Sequence, residues 1–259
     1  MYRPYHLLLC GLLMSTLALG QFPKGSQWRF YFQSWYKVPV EMIQAPFHST
    51  SKQYLYAGGL LAAGAGLYFA DEWIYNQVPA ASASTKNSLE LFVEPFGNGF
   101  YSGPILAGMF LYGILAKRPR PRDAAMAAGA SFFVASLFTR GLKYALNRSR
   151  PQANLGNNFW RPFAAPFSLS FPSGHTTGAF AIASALSCYY KDKPYLSYFL
   201  FGGASVVAVS RIVKGEHWAS DVFAGALVGY TVGRFFGKYL QSDTTVGWRY
   251  QGAGLAYVF

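Results

Sequence analysis

Six apolar runs, at residues 54–70, 101–116, 124–142, 175–190, 195–209 and 222–236, leave this chain few folds to choose from. Each is near the lower end of the roughly 17 to 25 residues that cross a bilayer as a helix. Only 12% of the 259 residues are charged, against 52% hydrophobic and 19% aromatic. That is about half the charge of an ordinary soluble domain, so the runs read as membrane helices. Their small residues are placed for close helix packing: Gly225, Gly229 and Gly233 recur at four-residue spacing, and the first run carries Gly58, Gly59, Gly64 and Gly66. The expected fold is all-α, a helical membrane bundle of five or six core helices occupying residues 54–240, with neither a second domain nor an internal repeat.

The flanks are of a different kind. Residues 1–20 place Arg3 ahead of an apolar stretch that ends in small residues at Ala18 and Gly20, the pattern of a signal peptide or an N-terminal anchor. Residues 21–53 are aromatic and mixed in charge, and are expected to form an interfacial segment broken at Pro39. In the tail, residues 241–259, Val246, Trp248 and Tyr250 alternate, as do Leu255, Tyr257 and Phe259, around Gly252, Ala253 and Gly254. That is the period of a short C-terminal β-hairpin.

The formal charge of +12 does not point to nucleic acid, because the cations form no basic run with interleaved aromatics. An anionic lipid surface fits them better. Cys10 and Cys188 lie inside apolar stretches with no metal-type spacing, which indicates neither a disulfide framework nor a zinc site.

Against this low background of charge, three polar stretches stand out. In SRIVKGEHWASD, residues 210–221, His217 and Asp221 are four apart and would share one helix face if the last helix has begun by His217. The carboxylate could then take the imidazole N–H and make it a better nucleophile. Arg211 stands across Gly215, where a turn would bring its fork round to a phosphate. In KYALNRSRP, Lys143 and Arg150 are seven apart, on one side of a helix that Pro151 would end. In FPSGHTTGAF, Pro172 precedes Ser173, Gly174 and His175 at the entry to an apolar helix, where free N–H groups favour an anion. Arg148, Arg161 and Glu216 lie nearby and read as solvated loop residues.

Lys143-x6-Arg150-Pro151, Pro172-Ser173-Gly174-His175 and Ser210-Arg211-x5-His217-x3-Asp221 together resemble the three-part signature of the type 2 phosphatidic acid phosphatase superfamily, which also includes vanadium haloperoxidases. The resemblance implies a metal-independent lipid phosphate or diphosphate phosphatase working through a phosphohistidine, with no cofactor. His217 would be the nucleophile, Asp221 its orienting partner and His175 the acid at the leaving oxygen. Lys143, Arg150, Ser173, Gly174 and Arg211 would hold the phosphate oxygens. The other readings are vanadate-dependent halide oxidation and a non-catalytic lipid-binding or transport protein on the same scaffold. Partners implied are a lipid phosphate and a membrane, with no oligomeric state indicated.

Positive charge sets the expected sidedness. The stretch KRPRPRD, residues 117–123, carries four cations with no part in the signature, and Lys191 and Lys193 follow the fourth run. These would face the cytoplasm of a bacterial-type inner membrane, placing all three motifs together on the opposite, periplasmic side. A cleaved signal peptide conflicts with a crossing by residues 54–70. Either residues 1–20 are retained, or that Gly-rich run stops short of spanning. The polar segment 71–100, with Asp71, Glu72, Glu90 and Glu94, is expected to form part of a vestibule.

Overall fold

The computed structural model describes residues 27–78, 93 and 96–242. The leader, Glu90, Glu94 and the tail with its expected hairpin lie outside the described residues. Within them the chain forms seven α-helices: α1 (Gln27–Gln44), α2 (Ser51–Gln77), α3 (Gly99–Leu115), α4 (Pro119–Leu146), α5 (Gly174–Tyr189), α6 (Pro194–Val213) and α7 (Ala219–Ser242). All six apolar runs are helical.

Two expectations about the N-terminal part change. Residues 27–44 are a helix that continues through Pro39, packed into the bundle by the buried Tyr31, Ser34 and Val38. The first run is also longer than its apolar stretch, since Thr50 and Gln53 form a reciprocal capping box and the helix continues to Gln77. At about 1.5 Å per residue such a helix exceeds the roughly 30 Å of hydrocarbon in a bilayer. Shortness therefore no longer argues against its crossing.

The core is built largely of alanine. Ala124, Ala127, Ala128, Ala130 and Ala135 of α4 meet Ala181 and Ala185 of α5 and Val232 and Phe236 of α7. Between α5 and α7 the backbones nearly touch. A Cβ on Gly225 would lie 2.6 Å from the Ser173 carbonyl oxygen, and Cβ atoms on Gly229 and Gly233 would run into the carbonyls of Thr177 and Ala181. The four-residue glycine spacing is thus a contact ladder. The glycines of α2 form no such ladder among the described residues: none of these lies within 4 Å of a Cβ placed on Gly58, Gly59 or Gly66, and only the Phe223 ring approaches Gly64.

The outer surface is apolar. Leu55 and Leu61 of α2, Leu115 of α3 and Tyr198 of α6 are each at least 75% exposed, far beyond what a soluble surface tolerates in so many neighbouring places. Among the described residues two helices, α4 and α6, are long and apolar enough to cross a membrane, and α3 is a shorter apolar helix. The molecule is an all-α membrane bundle.

Candidate active site

The three motifs meet where α4 and α6 end and where α5 and α7 begin. Helix α4 does not run to Pro151. It stops at Leu146, with Asn147 in the left-handed conformation as its cap, a state asparagine tolerates better than most residues. Lys143 is therefore on the helix and Arg150 on the extended strand of chain after it. Asn147 also shapes the α4–α5 loop: its amide donates to the carbonyls of Arg161 (3.1 Å) and Ala164 (2.6 Å), and its oxygen accepts from Ser168 N at 2.8 Å. This folds the loop back so that Lys143 Nζ reaches the Leu169 and Ser170 carbonyls and Arg150 Nε the Ser168 carbonyl, 3.1 Å away.

Ser173 is the buried N-cap of α5, as its sequence position implies, but its hydroxyl makes no capping bond and accepts from Thr176 instead, at 3.0 Å. The N-terminal end of α5 favours an anion. Gly174 lies beside Lys143, whose Cε is 3.7 Å from the place of a Gly174 Cβ. His175 follows in the same turn, half-buried. Its carbonyl oxygen is 2.9 Å from where a Cβ on Gly97 would sit, so only glycine lets the chain pass there.

Gly215 takes a positive φ of 69°, and this turn brings Glu216 N and His217 N onto the Arg211 carbonyl at 3.1 and 3.3 Å. His217 thus precedes α7, which begins at Ala219, and the imidazole is not stacked over Asp221 on a helix face. Nδ1 of His217 stands 3.9 Å from Asp221 Oδ2, near enough for charge to act and too far for a hydrogen bond. Among the described residues it has no hydrogen-bond partner although buried, and neither has Nη2 of the buried Arg211. Arg211 Nη1 reaches Glu216 at 3.2 Å. Burial pushes His217 from 6.5 down to about 4; the Lys143 and Arg150 cations act in the same direction, and Asp221 opposes them. The imidazole is neutral at pH 7, as a nucleophile must be.

Three residues read as solvated fare differently. Arg161 is exposed. Glu216 is not free surface, since it also takes Lys214 Nζ at 3.0 Å. Arg148 is wholly buried: its guanidinium donates to Asp221 Oδ1 at 2.6 Å and to Asp71 Oδ2 at 2.8 Å. Asp71 is likewise no vestibule residue, being 1% exposed. Ser170 Oγ donates to Asp221 Oδ2 at 2.6 Å, and Trp218 N to the same oxygen at 3.0 Å. The sequence held one signal for this cluster: Asp71 and Glu72 follow the long apolar stretch of α2, and an acid there is costly without a partner.

At the opposite end, Arg120 pairs with Asp192, so the KRPRPRD stretch and the α5–α6 turn lie together, away from the motifs. The stretch is less a loop than expected, because α4 begins at Pro119 and Asp123 is already buried.

Residues 124–244 match the PAP2 superfamily. The lipid A 1-phosphatase of Porphyromonas gingivalis is 40% identical over 92 residues, which are 35% of this chain and 18% of that one. The undecaprenyl-diphosphatase of Sulfolobus acidocaldarius is 28% identical over 60% of this chain and 68% of that one. The decaprenylphosphoryl-5-phosphoribose phosphatase of Mycobacterium tuberculosis is 35% identical over 44% and 60% respectively. The chain therefore spans less than two thirds of the length of two of these relatives. Among solved structures, the transmembrane PAP2-type phosphatidylglycerolphosphate phosphatase of Bacillus subtilis superposes over 73% of this chain and 96% of its own, with a TM-score of 0.54 at 22% identity. That likeness is one of fold.

Proposed function

Residues 124–244 belong to the PAP2 superfamily, and from that premise we propose that this membrane protein is a phosphatase of a lipid phosphate or diphosphate, acting through a phosphohistidine on His217. One observation carries the reading. A buried, neutral imidazole with a carboxylate behind it lies among Lys143, Arg150 and Arg211, and one Arg211 nitrogen has no partner among the described residues. A phosphoryl group would supply the missing acceptor.

In the first step Nε2 of His217, the nitrogen on the side of the ring away from Asp221, forms a bond to phosphorus as the bond to the lipid oxygen breaks. His175 gives its proton to that oxygen. Asp221 offsets the positive charge that grows on the imidazole, while Lys143, Arg150, Arg211, the Ser173 hydroxyl and the Gly174 N–H take the negative charge on the phosphoryl oxygens. In the second step water attacks phosphorus and gives a proton back to His175, the N–P bond breaks and phosphate leaves. The cations provide the charge compensation a metal would otherwise supply, so turnover is expected to be metal-independent.

The substrate class includes phosphatidic acid, phosphatidylglycerophosphate, isoprenyl diphosphates and lipid A phosphates. Phosphate release by purified protein over such a panel, with and without EDTA, is the test. Release from at least one lipid that persists in EDTA is expected; no release from any, or release only with added magnesium, contradicts the mechanism. The basic stretch 117–123 supports a site facing the periplasm. A cysteine at Ala153 should then react with an impermeant reagent in cells stripped of their outer barrier, and one at Lys193 should not. The reverse labelling would turn the site to the cytoplasm.

A further inference from the structure

We infer that Asp71 and Arg148 form a positioning pair for Asp221: two carboxylates share one guanidinium, so that α2, outside the matched region 124–244, sets how much of the Asp221 charge reaches His217. The inference rests on the role proposed above for His217.

The guanidinium is held on every side. Nε donates to the Asn157 carbonyl at 2.8 Å, Nη1 to Ser220 Oγ at 2.7 Å and to Asp221 Oδ1 at 2.6 Å, and Nη2 to Asp71 Oδ2 at 2.8 Å. The rings of Tyr68, Trp160 and Trp218 surround it, with centroids 4.9, 5.0 and 5.6 Å from its carbon. It cannot swing to a different partner. Asp71 also accepts from Ser220 N at 2.9 Å and from Ser220 Oγ, at the start of the helix whose first turn carries Asp221. Helix α2 further clasps the α4–α5 loop, with Glu72 taking Asn157 N at 3.0 Å and the Tyr68 carbonyl taking Asn157 Nδ2 at 2.6 Å.

The charge count gives the arrangement its consequence. Were Asp221 the sole partner of Arg148, the two would form a neutral pair and Asp221 would do little for an imidazolium beside it. A second carboxylate on the same guanidinium leaves one net negative charge in the cluster. Asp71 thereby keeps Asp221 available to His217 without touching substrate. The other charged groups acting on His217 are Lys143 from α4, Arg150 from the loop and Glu216 from the turn, the last paired with Arg211 of α6 and with Lys214. Substitutions at Asp71 and Arg148 leave all of these in place.

The two members of the pair are therefore expected to shift His217 in opposite directions. In Asp71→Asn the Arg148 charge is less compensated, so His217 binds its proton less readily and the acid limb of kcat/KM moves to lower pH. In Arg148→Met two carboxylates face each other, so His217 binds its proton more readily and the limb moves up. For Asp71→Asn, kcat should fall about tenfold, in the range that supporting partners of functional groups give, with KM unchanged. The experiment follows the His217 imidazole by nitrogen NMR in the wild type and both variants, alongside the pH profile. Opposite displacements support the inference. Titration of His217 unmoved in both, or moved in one direction in both, overturns it. If Arg148→Met does not fold, the downward shift in Asp71→Asn alone decides. If the wild type releases phosphate from no lipid, the proposed function fails, while the NMR titration still judges the coupling.

Discussion

The two ends of the bundle use arginine in opposite ways. At the motif end, Arg148 is buried, with two carboxylates and three aromatic rings around it. At the other, Arg120 stacks on Tyr190 and pairs with an Asp192 that stands in solvent. The same functional group is a structural and chemical keystone in one place and an anchor in the other. The difference lies in what happens when the partner is removed: water replaces it at the exposed end, and nothing replaces it at the buried one.

The same truncation made at both ends tests this contrast. Arg148→Ala leaves Asp71 and Asp221 buried without their cation and is expected to cost roughly 3–5 kcal/mol of stability, read from thermal unfolding in detergent. It should also lower activity. A loss no greater than that of a surface substitution would mean that water enters the cluster and the burial contrast is not what holds it.

A smaller effect sharpens the comparison in pH. His217 is held at about 4 by burial and by Lys143 and Arg150, so kcat/KM should stay level as pH falls through 6.5 and decline only towards 4. The same shift has a stability counterpart of fixed sign. Between those values the unfolded chain binds a proton at His217 that the native state does not, so stability is full above 6.5 and declines as pH falls towards 4. An acid limb at the ordinary histidine value would show His217 to be solvated. The smallest effect belongs to the exposed end: Arg120→Ala should leave kcat unchanged and the unfolding midpoint close to that of the wild type, as for other exposed pairs.

These contrasts also separate what the sequence discloses from what it conceals. Lys143, Arg150, Ser173, Gly174, His175, Arg211, His217 and Asp221 were legible because their spacing along the chain is itself the signal, and the glycines of α7 because a helix repeats its contacts every four residues. Arg148 was not legible. It stands two residues from Arg150, but its partner Asp71 is far upstream, and only the fold shows that the two meet. The glycines of α2 have the same composition as a packing stripe but meet little among the described residues, since no sequence pattern says which side of an apolar helix a neighbour will cover. The end of α4 was misplaced for a local reason: Asn147 can take the left-handed conformation that stops a helix before a proline has to.

The central claim is that the buried imidazole at the motif end takes the phosphoryl group. Its most direct test is rapid quenching of purified protein with phosphorus-labelled lipid substrate, followed by mapping of the labelled residue. An acid-labile phosphate on His217, absent in His217→Ala together with all turnover, is the expected result. Label carried by His175, or retained in His217→Ala, would contradict the assignment.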